Sequence, residues 1–457
     1  MSDYQVNNPA TGEVEATYPT ATEQDIQRVI EQADTAYQDW QKTSLSERSA
    51  LLNKIADIYI ERQDELARIV ANEMGKPLAQ AKGELQLVAQ IYRYYADNGE
   101  QLLAPNTIDV DQGSASVKKL PVGVLLGIMP WNYPHYQVAR FVAPNVMAGN
   151  TIILKHAPQC PNTAEVIVDI LKDAGLPSGV YNNVFATNDQ AATIIEDSRV
   201  QGISLTGSER AGQAVAKVAG GALKKVVLEL GGSDAFIVAA DADIGKAVQG
   251  AISGRFGNTG QACNAAKRLI VIESVYDDFV KGFTDAVRDM SLADPLDDGT
   301  FIGPMSSKAA ATNLQEQLDS AIQAGATVLV EGGMVKDKPG AWFKPAVLTD
   351  VDESMDVYRQ ELFGPVAVIY KARDVDHAIQ IANDVPFGLG ASIQTQDAEL
   401  AAQIADKLEV GMVTINAPSG SEANTPFGGV KRSGFGRELG TLGITEFLNY
   451  KLIRDKS

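Results

Sequence analysis

A chain of 457 residues with 39 Lys plus Arg against 58 Asp plus Glu carries a formal charge of −19, and its 45% apolar and 21% charged content is that of an ordinary globular protein. That length excludes a small binding module and suits two or about three domains, while the composition excludes disorder and fibrous repeats. The acidic excess repels phosphate backbones and anionic lipid, so neither nucleic acid nor a membrane is expected as a partner, and any anionic ligand needs a locally positive pocket.

The first residues, Met1 to Gln5, lack the basic and apolar regions of a secretory signal, and the longest apolar stretch, Val122 to Pro130, is shorter than the ~20 residues of a membrane helix. Cys160 and Cys263 are the only cysteines and show no metal-finger spacing, which points to a reducing compartment, a cytoplasmic protein and no metal site. From Thr22 to about Gly99 apolar residues recur at helical spacing, as in Ile26, Val29, Ile30 and Ala33, with a break at Gly75-Lys76-Pro77. After Ser114 short apolar runs at Val122 to Met129, Thr151 to Leu154, Val180 to Phe185 and Gly202 to Leu205 read as strands. Between them, His135 to Met147, Thr163 to Ala174, Asp189 to Ile195 and Ser208 to Ala219 read as helices. This alternation predicts parallel βαβ units with ligands at the carboxyl ends of the strands. A second such series starts around Val226 and runs through Phe236 to Val238, the helix Asp243 to Phe256 and Arg268 to Glu273, on to Val413 to Ile415. Near the C-terminus, Phe447 to Ile453 reads as a strand of neither series, with Ser114 to Lys119 as its candidate partner.

Four segments carry chemistry. Cys263 follows the glycine-containing loop Phe256 to Ala262; alone it reads more readily as a small buried apolar side chain than as a nucleophile. Glu229, in Val227-Leu228-Glu229-Leu230-Gly231-Gly232, puts a carboxylate at an apolar strand end, which calls for either an ion pair or a general base with a raised pKa. Asn132 lies between two prolines in Pro130-Trp131-Asn132-Tyr133-Pro134 at a strand end, where its amide can be a turn residue or an oxyanion donor. Leu205-Thr206-Gly207-Ser208 has the form of a strand, a glycine and a helix start, a weak phosphate signal without GxGxxG. Gly434 to Gly440 has one residue too many for that fingerprint and reads as a loop.

In their order and spacing, these segments resemble the NAD(P)-dependent aldehyde dehydrogenase superfamily: PWN at Pro130 to Asn132, the GS start at Gly207-Ser208, LELGG at Leu228 to Gly232 and NTGQAC at Asn258 to Cys263. Glu361-Leu362-Phe363-Gly364-Pro365, the Asn383 to Leu389 run, Pro426 to Gly429 and the opening Asn8 to Glu13 extend the resemblance over essentially the whole chain. It implies an α/β fold of two Rossmann-like domains with a small β oligomerisation element. The cofactor-binding domain would comprise 1–113 and 122–230, the catalytic domain 231–437, and the oligomerisation element 114–121 and 438–457, in a homodimer or homotetramer.

The resemblance further implies that Cys263 attacks an aldehyde, with the oxyanion held by the Asn132 amide and the Cys263 N–H, and that Glu229 activates the hydrolytic water. It assigns the nicotinamide ribose to Glu361, the adenosine ribose to Lys155 and the pyrophosphate to Ser208, with Trp131, Gly207, Gly212 and Phe363 completing the cofactor site. Members that prefer NAD commonly carry a glutamate where this chain has Pro158, so NADP is expected, with NAD as the alternative. His156 reads as an added donor or as a surface imidazole. Arg140, two helical turns beyond Asn132, and Ser421 match the positions where succinate-semialdehyde dehydrogenases read a substrate carboxylate, and the match is strongest to a bacterial branch of these; the plain alternative for Arg140 is a helix-surface ion pair. Ala265 stands where another branch has a second, switching cysteine, so no such switch is expected, while Cys160 reads as structural with its oxidation sensitivity open. The leading expectation is NADP-dependent oxidation of succinic semialdehyde. The alternatives are another short aldehyde, a non-catalytic family member, and a CoA-acylating enzyme, against which the retained Glu229 argues.

Overall fold

The computed structural model describes residues 4–457. A hairpin of Tyr4–Asn7 and Val14–Tyr18 leads into four helices, Glu23–Trp40, Leu45–Glu61, Gln63–Met74 and Leu78–Leu103. Thr22 and Ser44 each start a helix with a capping box, in which their hydroxyls accept from the Asp25 and Glu47 N–H groups and those carboxylates accept in return. The break expected at Gly75 is there, in the left-handed region at φ 78°. Two further breaks, around Gln41 to Ser44 and at Arg62, divide what reads as continuous helical pattern.

Six strands form the first sheet, in the order Gly434–Phe435, Lys225–Glu229, Val200–Thr206, Val124–Ile128, Thr151–Lys155 and Tyr181–Asn183. The last five are parallel, and the chain winds outward in both directions from Val124–Ile128. The switch point therefore lies between the carboxyl ends of Val124–Ile128 and Val200–Thr206, where open α/β sheets bind ligands. Two expectations need correction. The strand at Val226 closes this first sheet by pairing with Val200–Thr206, so the second series begins only at Asp234. Gly434–Phe435, expected in a loop, pairs antiparallel with Leu228 and Glu229. At Gly434, φ is 113° and a Cβ would stand 2.0 Å from the Leu228 carbonyl oxygen, so this edge forms only because the residue is glycine.

The second sheet runs Thr327–Val330, Ala346–Thr349, Val366–Ala372, Ala266–Ile272, Asp234–Val238, Gly390–Gln394 and Met412–Ile415, parallel except for Thr327–Val330. In the third sheet Leu448–Asp455 pairs antiparallel along Ser114–Pro121, the partner expected from sequence, with Asn106–Ile108 on its other side. Among the described residues, no helix is long and apolar enough to cross a membrane.

Candidate active site

Two loops meet at the switch point. The turn after Ile128 carries Trp131 and Asn132, and the turn after the Ile244–Phe256 helix carries the approach to Cys263. They are cross-bonded: Asn132 Nδ2 donates to the Gln261 carbonyl at 3.1 Å, and Asn258 Nδ2 donates to the Asn132 carbonyl at 2.9 Å. Asn258 and Thr259 both sit at φ 53°, a costly conformation for a β-branched threonine, and Gln261 secures the turn by accepting from the Ser306 N–H at 2.8 Å. On the opposite flank Glu84 Oε1 accepts from the His135 and Tyr136 N–H groups at 2.9 and 3.0 Å, capping the Tyr136–Ala148 helix from outside. Glu84 itself is paired with the buried Lys76, whose ammonium lies 3.6 Å from the Tyr133 ring centroid. The loop bearing Asn132 is thus fixed at both ends.

Cys263 is half-buried and lines a pocket of about 270 Å³ with Trp131, Asn132, Gln137, Glu361 and Phe363. Burial pushes its thiol up to about 12, with Arg140 and Lys267 opposing and Glu361 and Glu229 adding to the rise. The Asn132 side-chain carbonyl oxygen and both Glu229 carboxylate oxygens are buried and find no hydrogen-bond partner among the described residues. Burial drives Glu229 well above the ordinary carboxylate range, Arg140 opposes this and Glu438 adds to it. Gly428 makes room for it, since a Cβ there would stand 2.5 Å from Glu229 Oε1.

Arg140 is fully buried and ion-paired with Glu438, so it is neither the helix-surface arginine nor the free fork that its sequence position suggests. Its Nη2 donates to Thr206 Oγ1 at 3.0 Å and its Nη1 to the Tyr136 hydroxyl at 3.4 Å, and that hydroxyl donates to Ser421 Oγ at 2.8 Å. Burial pushes the guanidinium down, but Glu438, Tyr136, Glu229 and Cys263 together hold the group above its ordinary value. The half-buried Ser421 and the Tyr136 hydroxyl therefore form a polar edge with fixed positive charge behind them.

A second cleft, of about 490 Å³, is lined by Lys155, Asn188, Asp189, Ser208 and Arg210. Ser208 borders both pockets and caps the Glu209–Gly221 helix by accepting from the Ala211 N–H at 3.3 Å. Glu361 Oε1 accepts from the Gly232 N–H at 3.2 Å, and a Cβ on Gly231 would stand 2.3 Å from Glu361 Oε2. Trp131 and Phe363 meet edge to face, with ring centroids 5.7 Å apart. Among the described residues, no cluster of three or more His, Cys, Asp or Glu is placed to hold a metal ion.

The model of the aldehyde dehydrogenase family matches residues 1–453. The chain belongs to that family. A protein of Deinococcus radiodurans named succinate-semialdehyde dehydrogenase [NADP(+)] is 50% identical over 447 residues, covering 98% of this chain and 94% of the relative. Escherichia coli K12 has a relative named succinate semialdehyde dehydrogenase [NAD(P)+] Sad, 42% identical over 98% of this chain and 96% of its own length. The crystal structure of succinic semialdehyde dehydrogenase from Streptococcus pyogenes in complex with NADP+ superposes with a TM-score of 0.97 at 40% identity, covering 99% of this chain and 100% of that one.

Within this aldehyde dehydrogenase fold, Cys263, Asn132, Trp131, Gly207, Ser208, Glu361 and Phe363 share one pocket, and Lys155 and Ser208 share the adjoining cleft. Glu229 lies behind, with its backbone carbonyl accepting from the Gly207 N–H at 3.0 Å. Gly212 lines neither pocket; a Cβ there would stand 2.7 Å from Leu230 Cδ2, which gives it a packing role. Pro158 carries no polar side chain, and its carbonyl accepts from the Gln5 N–H at 3.1 Å. His156 is buried rather than on the surface: burial lowers its pKa to about 4, and the neutral ring accepts from the Ala157 N–H and donates from Nε2 to the Pro134 carbonyl at 2.9 Å. Cys160 is fully buried, and burial pushes its thiol well up. Sequence reasoning missed Glu84, Tyr136, Arg210, Asn258, Gln261 and Glu438. Asn258 and Gln261 stood inside a motif already singled out and Arg210 just beyond one, while no sequence signal connects Glu438 to Arg140.

Proposed function

We propose that this protein oxidises succinic semialdehyde to succinate with NADP as electron acceptor, taking up one water per turnover. The observation that carries the chemistry is the single pocket that holds the Cys263 thiol beside the Asn132 amide, with the partnerless Glu229 carboxyl buried next to it. The Cys263 thiol gives its proton up to solvent as Sγ bonds to the aldehyde carbon and the carbonyl π bond breaks, giving a thiohemiacetal oxyanion that meets the Asn132 amide and the Cys263 N–H. Asn132 spends one amide hydrogen on Gln261 and keeps the second for that oxygen. When bound, the nicotinamide cofactor supplies hydride acceptance, leaving the acyl group on sulfur. Glu229 then takes a proton from water as it attacks the thioester, and the thiol is released with the acid product.

The residues present fit such a cofactor. The cleft at Lys155 and Ser208 adjoins the Cys263 pocket, a helix N-terminus begins at Ser208, and Glu361 lies at the inner end for a ribose. Lys155 and Arg210 supply cations for a 2′-phosphate, Pro158 supplies no competing carboxylate, and the names of the relatives support NADP over NAD. For the substrate, the support is the relatives' names together with the Tyr136–Ser421 edge backed by Arg140. A carboxylate there meets two hydroxyls first, with the arginine acting through Tyr136.

We assign 1–113 and 122–230 to cofactor binding, 231–437 to catalysis, and 114–121 with 438–457 to assembly into a homodimer or homotetramer, except that Asn106–Ile108 extends the assembly sheet and Gly434–Phe435 the cofactor-binding sheet. The exposed outer residues Tyr450 and Leu452 support that last assignment, and the two unbridged cysteines support a cytoplasmic site. The test is kcat/KM for succinic semialdehyde and for butanal with each cofactor. Preference for the semialdehyde by about 10²-fold supports carboxylate reading; equal values leave a general short-chain aldehyde dehydrogenase.

A further inference from the structure

The parallel pairing of Asp234–Val238 with Ala266–Ile272 has one irregularity, at its active-site end. Asp234 pairs with Ala266, but Ala235 pairs with Arg268, so Lys267 is the extra residue of a bulge. Bulges re-aim side chains and are over-represented next to active sites. Here the side chain is a lysine only 1% exposed, a costly group to bury unless it is paired. Its Nζ donates to the Ala262 and Cys263 carbonyls at 2.8 and 2.7 Å and lies 3.1 Å from Glu361 Oε1. An ammonium has three donors and no acceptor, and these three oxygens use all of them. The clamp closes on itself: Glu361 accepts from Gly232, and a Cβ on Gly232 would stand 2.7 Å from the Cys263 carbonyl. The same ammonium lies 5.8 Å from the ring centroid of Phe363, which packs against Trp131.

We infer that Lys267 is a positioning residue that ties the backbone of Cys263 to the Glu361 carboxylate, fixing the distance between the thiol and the edge that receives the cofactor ribose. The inference rests on the roles proposed above for Cys263 and Glu361. A neutral side chain of equal reach would leave two carbonyls and a carboxylate without their donor, and an arginine's planar fork does not match three converging acceptors. The charges acting on the thiol are Arg140 and Lys267 in favour of the thiolate and Glu361 and Glu229 against it, while Asp234 acts on Lys267 from the facing strand.

The test uses full-length Lys267→Met and Lys267→Gln. The readouts are the pH dependence of Cys263 alkylation by iodoacetamide, and kcat and KM for succinic semialdehyde. Lys267→Met is expected to raise the alkylation midpoint by about one pH unit and to lower kcat by about 10²-fold while KM for the aldehyde holds. Lys267→Gln, which keeps a donor without the charge, recovers part of kcat but not the midpoint. Wild-type midpoints and kcat in both variants, or a rise in KM with kcat unchanged, overturn the inference. If Lys267→Met does not fold, the Lys267→Gln midpoint decides alone. Turnover surviving in Cys263→Ala would instead overturn the assignment of the nucleophile, so the two failures are distinguishable.

Discussion

Removing Arg140 and Glu438 one at a time and then together separates their structural role from their role in substrate reading. The side chains are 0% and 5% exposed and ion-paired, so Arg140→Met leaves a buried carboxylate and Glu438→Leu a buried guanidinium. Breaking a buried pair from one side costs about 3–5 kcal/mol, whereas replacing both partners by apolar groups of similar volume is close to neutral. Ser204 Oγ, which donates to Glu438 Oε1 at 3.0 Å, softens the Arg140→Met loss slightly, so Glu438→Leu is expected to be the worse single variant. Urea unfolding followed by intrinsic fluorescence should show both single variants with lowered midpoints and the double variant near wild type. Activity should not follow. Arg140 acts on the substrate carboxylate through Tyr136, so its removal forfeits at most the worth of a charge-assisted hydrogen bond, about 1.5–3 kcal/mol. At about 1.4 kcal/mol per decade, the ratio of kcat/KM for succinic semialdehyde over butanal should drop about 10- to 10²-fold in Arg140→Met and stay low in the double variant. A double variant as unstable as the singles would refute the buried-pair energetics. One that keeps the wild-type ratio would refute substrate reading by Arg140.

Pro158→Glu adds an exposed carboxylate three residues beyond Lys155 and should raise the ratio of kcat/KM with NAD over that with NADP; an unchanged ratio would assign the 2′-phosphate to Arg210 and other groups. Glu73 is buried against the start of the Pro161–Asp173 helix, where it accepts from the Thr163 N–H at 3.1 Å, and burial raises its pKa to about 8. The folded state thus holds a proton that the unfolded chain releases near pH ~4.3, so the contribution of Glu73 to stability is full below that pH and is lost as pH rises through about 8. Glu73→Gln should flatten the fall in urea midpoint between pH ~5 and ~8.5; an identical pH slope in wild type and variant would contradict this.

What the sequence made legible was local. Cys263, Asn132 and Ser208 each lie beside a strand end or a helix start, yet each has a plain reading alone, and it is the resemblance of their segments to the aldehyde dehydrogenase family that singles them out; the alternation of strands and helices gives the parallel sheets. What it hid were contacts between distant segments. Arg140 reads as surface or substrate-facing because nothing in its helix announces Glu438. The His156 ring turns inward because Pro134 and Ala157 satisfy both its nitrogens, a closure no spacing encodes. Gly434–Phe435 resembles a failed phosphate loop and is instead a strand, admitted by one glycine's approach to Leu228. The Lys267 bulge is a register shift between two strands, invisible in either one alone.

Acyl transfer on Cys263, with Glu229 delivering the water, is the step on which the proposed reaction rests. Intact-mass spectrometry of Glu229→Gln after mixing with succinic semialdehyde and NADP+ addresses it most directly, with peptide mapping to locate any adduct. One succinyl group is expected on Cys263 and none on Cys160, accumulating as steady-state turnover collapses. Normal turnover with no adduct would contradict it and place the base elsewhere.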